Sequence, residues 1–205
     1  MRITEQAKAE NRARILEKAA DLFAAKGFED TTTRDIALGA GVAAGTLFNY
    51  FPTKETLAMT LVAEALARGR EDHRRRRRGD EDLTGDLFLF VASGLRRLQP
   101  LRPFLGPALE RSLSPFPRKN ICPEGEAARQ EQLAAVGEIL ADHGILAASE
   151  HVAITLYWSL YLGILAAWTH DASPDQEETR GLIDYALRLF VQMISGPGDE
   201  GDHGA

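Results

Sequence analysis

Cysteine is almost absent from this chain of 205 residues, which has a single one, Cys122. One thiol cannot form an intramolecular disulfide and cannot supply a cysteine-rich zinc site. The histidines His143, His151 and His170 also lack the paired spacing of metal ligands. We therefore expect a reduced, intracellular protein with no metal site and no cofactor.

Long apolar runs are scarce as well. The first 20 residues contain no apolar core of the signal-peptide type. The stretch from Val152 to Trp168 has no charge, but it is short for a membrane span and small or polar residues interrupt it. We expect a cytoplasmic protein without a membrane partner.

Patterns typical of enzymes are missing from the sequence. It has no glycine-rich phosphate loop, no H-E-x-x-H metal motif, and no evident pairing of a nucleophile with a base. We therefore expect no enzymatic activity, and we keep an enzyme built on a helical scaffold as a less favoured alternative.

The chain also lacks the basic excess expected of a nucleic-acid-binding protein, because its net charge is -6. The average hides a split: residues 1–78 carry a net charge of +4 and residues 79–205 carry -10. Much of the positive charge lies in the run Arg74 to Arg78. This run resembles a DNA-binding patch, but a solvated helix C-terminus, favoured by the helix dipole, is the preferred interpretation.

Apolar residues recur at spacings of three and four almost throughout, while alternating strand patterns and hairpin turn signals are missing. The sequence therefore predicts an all-α fold with about nine helices. The predicted helices cover residues 7–25, 34–38, 43–50, 54–78, 81–98, 101–113, 124–142, 149–170 and 174–194.

Residues 33–51, TRDIALGAGVAAGTLFNYF, have the pattern of a helix-turn-helix. Ala37 is small where two helices would cross, Gly41 provides the turn, and Val42 is an apolar plug behind it. Leu47 and Phe51 would face inward from the second helix. The pattern predicts a short second helix that can enter a DNA major groove.

The longer string GVAAGTLFNYFPTKETL, preceded by TTTRDIA, resembles the N-terminal domain of TetR-family transcriptional regulators over residues 8–62. Residues 80–195 resemble that family only in the number, length and order of helices. The resemblance implies a three-helix DNA-binding domain followed by a larger helical domain. It suggests a helix-turn-helix domain at 1–53, a connecting helix at 54–78, a ligand-binding and dimerisation domain at 79–195, and a disordered tail at 196–205.

The same resemblance and the chemistry of the residues suggest a set of DNA contacts. Small side chains at the start of the second helix would let its backbone approach DNA, and Thr46 and Asn49 could bond bases or phosphates. Each residue could also be an ordinary surface or packing residue when taken singly. The predicted DNA-binding residues are Arg34, Ala43, Ala44, Gly45, Thr46, Phe48, Asn49, Tyr50 and Lys54.

Aromatic residues of the second half could line an apolar ligand cavity with a few polar groups. Plain core packing is the alternative for each of them. The candidate pocket residues are Phe88, Phe104, Phe116, Tyr157, Trp158 and Tyr161.

Small residues recur every four positions between 159 and 167, which would let another helix approach closely. In the resembled family the last two helices pair with their copies in a four-helix interface. The candidate interface residues are Ser159, Gly163, Ala167, Leu182, Ala186, Leu189, Phe190 and Met193.

These expectations combine into a homodimeric, ligand-responsive DNA-binding transcriptional regulator. We expect a repressor that leaves a palindromic operator when a largely apolar small molecule binds. A constitutive DNA-binding protein without an effector is one alternative. A monomeric interaction protein that uses its apolar final helices for another partner is a second.

Overall fold

The computed structural model describes residues 4–112, 122–145 and 147–195. Every regular element in these ranges is helical, which confirms the predicted all-α class. The helices are α1 (Glu5–Lys26), α2 (Thr33–Gly39), α3 (Ala44–Tyr50), α4 (Lys54–Arg76), α5 (Leu83–Leu98), α6 (Arg102–Ser112), α7 (Pro123–Asp142), α8 (Ala147–His170) and α9 (Glu177–Ile194). Short 3-10 turns precede α6 and α9.

The helix ends follow local capping chemistry, which is why their predicted bounds are close to those observed. The Thr4 hydroxyl accepts a hydrogen bond from the Ala7 amide at 3.2 Å and starts α1 two residues earlier than predicted. Gly27, at φ 84°, ends it. The Thr53 hydroxyl accepts from the Thr56 amide at 3.0 Å at the start of α4.

The chain divides into two compact units, each built from two stretches. Unit one comprises Met1–Arg68 and Arg97–Gln130, and unit two comprises Gly69–Arg96 and Glu131–Ala205. Helices α4, α5 and α7 therefore contribute residues to both units. The predicted domains, with boundaries at residues 53 and 79, are consecutive segments of the chain, and this division stays a prediction. The predicted disordered tail at 196–205 lies outside the described residues.

The core of unit one forms around the apolar stripe of α1. Ile15, Ala19 and Phe23 are fully buried because their spacing puts them on one helix face. The Phe23 ring lies 5.3 Å from that of Phe28 and 5.0 Å from that of Phe104. These contacts hold α1 against the loop before α2 and against α6.

The core of unit two contains the aromatic side chains of α8. Tyr157, Tyr161 and Trp168 are buried, and the Tyr157 ring also meets that of Phe190 on α9 at 6.0 Å. Helices α4 and α5 approach closely at a pair of glycines. A Cβ atom on Gly69 would lie 2.8 Å from the Gly94 Cα, so only glycine fits this contact without a shift.

A fully buried carboxylate, Asp86, joins three elements of unit two. Its oxygens lie 2.6 Å from His73 Nε2, 3.0 Å from His143 Nε2 and 2.9 Å from Arg77 Nη2. Arg77 is one of the five consecutive arginines, and its role differs from the solvated helix end favoured for that run. Its guanidinium serves as counter-ion to a buried charge, which the sequence pattern could not indicate.

Candidate nucleic-acid interface

Helices α2 and α3 pack against each other through a short turn in unit one. Buried Ala37 lies on α2, and its carbonyl accepts a hydrogen bond from the Val42 amide at 3.0 Å. Gly41 makes the turn at φ 67°, a left-handed conformation that favours glycine. Leu47 and Phe51 are buried, so the opposite side of α3 is turned outward.

The start of α2 is fixed by a reciprocal cap. The Thr32 hydroxyl accepts from the Asp35 amide at 3.1 Å, and the Asp35 carboxylate accepts from the Thr32 amide at 3.3 Å. The bonds from Thr32 lower the pKa of the Asp35 carboxyl. Asp35 also lies 3.9 Å from the Lys26 ammonium, while the neighbouring Arg34 side chain is exposed.

The first residues of α3 are small and exposed, as the DNA-binding hypothesis requires. Ala43 is the N-cap residue, has an extended backbone at φ -67° and ψ 148°, and provides no side-chain cap. Ala44 and Gly45 follow it and are exposed. A planar or curved partner can therefore approach the α3 backbone here without meeting long side chains.

The next turn of α3 provides both polar and apolar groups to the same surface. Asn49 is exposed, Thr46 and Tyr50 are half-buried, and the Phe48 side chain is 48% exposed. These four side chains and Arg34 form what we call the α3 face.

Lys54 is engaged in the protein's own structure. Its ammonium donates hydrogen bonds to the carbonyls of Phe28 at 2.6 Å and Glu29 at 3.1 Å, and it lies 4.4 Å from the centre of the Phe28 ring. The resemblance implied a phosphate contact for this lysine. The geometry instead gives it a positioning role that ties the start of α4 to the loop before α2, so a phosphate contact stays a prediction.

Leu38 is a surface residue that sequence reasoning missed. It is the most exposed large apolar side chain among the described residues, at 82%, and it lies on the last turn of α2. Its helical spacing resembles that of a core residue, so only the packing of α2 reveals the difference.

The candidate pocket residues do not form one group. Tyr157, Trp158 and Tyr161 are buried together in unit two, with the two tyrosine rings stacked at 5.8 Å, and Phe88 is half-buried in the same unit. Phe104 is part of the unit-one core, where it packs on Phe23 of α1, so it belongs to a different unit from the other described candidates. Phe116 lies outside the described residues.

The candidate dimer residues separate into exposed and buried sets. Phe190 and Ala186 are buried within unit two, where they pack in its core. The other residues lie on exposed faces of α8 and α9, two helices that pack against each other. We call this surface the α8–α9 face; it includes Val152, Leu156, Ser159, Gly163, Ala167, Leu182, Tyr185, Leu189 and Met193.

Helix α8 is long and apolar enough, from His151 to His170, to cross a membrane by length and composition alone. Its buried side carries Tyr157, Tyr161 and Trp168, which pack within unit two. Its apolar character therefore arises from a core side and an exposed side on one helix.

Comparison with known proteins shows a similarity to one family over the N-terminal part of the chain. Residues 15–59, which span α1 to the start of α4, match the family described as "Bacterial regulatory proteins, tetR family". The HTH-type transcriptional repressor KstR2 of Mycobacterium tuberculosis is 45% identical over 51 residues, which cover 25% of this chain and 26% of that protein. KstR2 of Rhodococcus jostii is 38% identical over 88 residues, which cover 43% of this chain and 36% of that protein. The chain thus matches only about a quarter to a third of the length of these curated relatives.

Solved structures resemble the chain over most of its length. FadR of Thermus thermophilus, a transcriptional repressor crystallised in complex with lauroyl-CoA, superposes with a TM-score of 0.68 at 24% identity and covers 94% of this chain and 100% of its own. A TetR transcriptional regulator from Rhodococcus sp. RHA1 gives a TM-score of 0.67 at 20% identity, with coverages of 91% and 98%. At these identities the likeness shows a shared fold.

Proposed function

We propose that the chain is a homodimeric repressor of the tetR family of bacterial regulatory proteins, because its residues 15–59 match that family. It binds a palindromic DNA operator and leaves it when a small molecule binds in unit two. The observation that carries the DNA-binding part is the α3 face, where exposed Asn49 and Phe48 follow a small-residue helix start. Proteins of this family are DNA-binding transcription factors and not enzymes.

The α3 face acts by entering the DNA major groove. Asn49 can bond a base edge or a phosphate, and the Phe48 ring can meet a thymine methyl or a sugar. The missing side-chain cap at Ala43 leaves room for the DNA backbone, at a cost of about 1 kcal/mol in helix stability. Direct base reading through so few polar groups is sparse, so specificity also depends on DNA shape.

A second copy is needed because α3 has only seven residues. One such helix contacts few base pairs, whereas two helices related by a twofold axis reach successive major grooves about 34 Å apart. The α8–α9 face supports this arrangement, since large apolar side chains such as Met193 and Tyr185 are 57% and 65% exposed. A second copy that covers this face also accounts for the apolar character of α8 in a cytoplasmic protein.

Ligand response is supported by the fold and by unit two. The Thermus repressor with this fold was crystallised with lauroyl-CoA, so the fold can hold a small molecule. Unit two contains a small cavity of about 100 Å³ beside α4. Helix α4 contributes to both units, so a ligand that favours one position of α4 would change the affinity for DNA by its difference in affinity for the two states.

The proposal is tested by selecting random DNA fragments with the purified protein, followed by footprinting and sedimentation. We expect a palindrome whose half-sites are one helical turn apart, or a multiple of it, bound by an even number of copies. Recovery of no preferred sequence would refute the regulator. A preferred sequence whose binding no compound in a metabolite library weakens would leave the constitutive DNA-binding protein.

A further inference from the structure

Resting on that function, we propose that the effector is an apolar organic anion. Its acidic group binds Arg70 and Arg74 of α4 and Arg77, which follows α4 directly, at the cavity in unit two. The cavity has an apolar floor formed by buried Phe90 and Ile139.

The three arginines lie at the C-terminal end of α4. Arg70 and Arg74 are four residues apart on one helix face, and the Arg77 amide just past the helix donates to the His73 carbonyl at 2.9 Å. All three line the cavity of about 100 Å³. A guanidinium stays charged at all relevant pH values and binds carboxylate or phosphate with two parallel hydrogen bonds. A cavity of this size accommodates an acidic group or a small ring, while a complete effector extends beyond it.

The carboxylates that now pair with these arginines are largely at the surface. Glu131 pairs with Arg70 and is 60% exposed, and Glu71 lies 4.0 Å from exposed Arg74. Such pairs contribute little to stability, about 0–1 kcal/mol each. An anionic ligand can therefore replace them at low cost, and Glu138 and Asp142 at the cavity select against ligands with several charges.

Arg77 is held differently from the other two. It pairs with exposed Asp142 and with the fully buried Asp86 at 2.9 Å. Because Asp86 keeps one side of the guanidinium occupied, Arg77 has a fixed orientation before any ligand arrives. This lowers the ordering cost of binding an anion beside it.

Unit two also holds a buried hydroxyl. Arg70 itself has only 11% of its side chain exposed and donates to Gln132 Oε1 at 3.4 Å. Within the described part of the chain, the Tyr161 hydroxyl has no hydrogen-bond partner although it is fully buried. Burial raises the pKa of this phenol far above its usual range, so it remains a hydrogen-bond donor.

The site is tested with three aromatic probes of similar size: benzoate, phenyl phosphate and benzyl alcohol. Calorimetric titration of the full-length protein should show binding of at least one anion and at least tenfold weaker binding of the alcohol. Benzoate and phenyl phosphate distinguish a carboxylate from a phosphate effector. Equal binding of the alcohol, or no binding by either anion at millimolar concentration, would overturn the proposal.

Matched variants assign the binding to the cavity. Arg70→Gln should weaken anion binding at least tenfold, and the exposed Arg74→Gln, which removes only a surface side chain, about threefold. Arg76→Gln, on another side of α4, should leave binding unchanged. If all three variants bind the anion equally, the site is wrong.

Operator binding by the unliganded protein is measured separately. If the unliganded protein binds no operator, the proposed regulator is refuted. The titrations then still test the anion site. Intact operator binding that the anion does not weaken would instead refute only the assignment of the anion as effector.

Discussion

At the scale of single residues, the side chains near the α3 face differ in how far the fold already uses them. The Lys54 ammonium donates to two carbonyls and lies over the Phe28 ring. Asn49 is exposed on α3. A lysine committed to internal acceptors contributes first to stability, whereas an exposed amide contributes to stability hardly at all and can bind DNA.

Substitution separates these two roles. Lys54→Ala should lower the unfolding free energy by about 1–2 kcal/mol, since it removes hydrogen bonds from a charged donor, as measured by urea denaturation. Asn49→Ala should change it by less than about 0.5 kcal/mol yet weaken operator binding about tenfold. We expect Lys54→Ala to reduce the salt dependence of DNA binding by less than one unit. If Lys54→Ala reduces the salt dependence by a full unit and leaves the unfolding free energy unchanged, then Lys54 is a phosphate contact.

Asp171 gives a residue-scale prediction about pH. Its carboxylate accepts hydrogen bonds from the hydroxyl and amide of Ser173 and from those of Thr179, and these bonds hold its pKa well below the usual range. A carboxyl whose pKa is lower in the folded state stabilises the protein above the unfolded-state pKa, near 4, and loses that effect as pH falls through the folded value.

Asp171→Asn should therefore have a lower melting temperature than the unsubstituted protein at pH 7. The difference should shrink as the pH is lowered below about 4, because Asp171 then becomes protonated in the unfolded chain. Thermal unfolding at pH 7, 4 and 3 measures it, with exposed Asp80→Asn as the control. A difference that stays constant over this range would show that the charge of Asp171 is unimportant.

At the scale of elements, the contact between α4 and α5 depends on Gly69. A Cβ atom there would meet the Gly94 backbone at 2.8 Å, and backbone cannot move away as a flexible side chain can. Gly69→Ala should destabilise the protein by about 1–3 kcal/mol in chemical denaturation. Gly181 is an exposed residue of α9, and a Cβ atom there would meet nothing within 4 Å. Gly181→Ala should therefore stabilise the protein by about 0.5–1 kcal/mol. If both variants destabilise the protein, the loss of stability comes from alanine at these helix positions in general and not from the contact between Gly69 and Gly94.

Helix bounds and the buried stripe of α1 could be predicted because they depend on local signals. Thr4, Gly27 and the spacing of Ile15 to Phe23 act within one or two turns. The position of Phe104 could not, since its spacing fits either core and only tertiary packing decides between them. On α9, apolar residues occupy both sides, so the sequence did not reveal that Phe190 faces inward while Met193 faces outward.

The candidate DNA-binding residues rest on signals of the same local kind. Their pattern combines a capped helix, a glycine turn and small residues within 20 positions, all of which are local. The internal contacts of Lys54 could not be predicted, because its partners, the carbonyls of Phe28 and Glu29, are more than 20 residues away. The pair of Arg77 and Asp86 could not be predicted for the same reason, because no local spacing in the sequence indicates a buried ion pair.

At the scale of the whole molecule, charge placement matters more than net charge. The first 60 residues have equal numbers of acidic and basic side chains, and the second half of the chain is acidic. General attraction to phosphate is therefore weak, and specific binding requires two α3 faces acting together. The association of two copies thus controls operator affinity in this proposal.

Met193→Glu is expected to break that association. The charge would lie on the α8–α9 face, where the partner copy would have to bury it without a counter-ion, so the dimer dissociation constant should rise at least tenfold in analytical ultracentrifugation. Operator binding should weaken with it. Leu38→Glu introduces the same charge at an exposed apolar position of unit one and should leave association unchanged. If Met193→Glu remains as dimeric as Leu38→Glu, then the two copies meet elsewhere, and the spacing of the α3 faces must come from another surface.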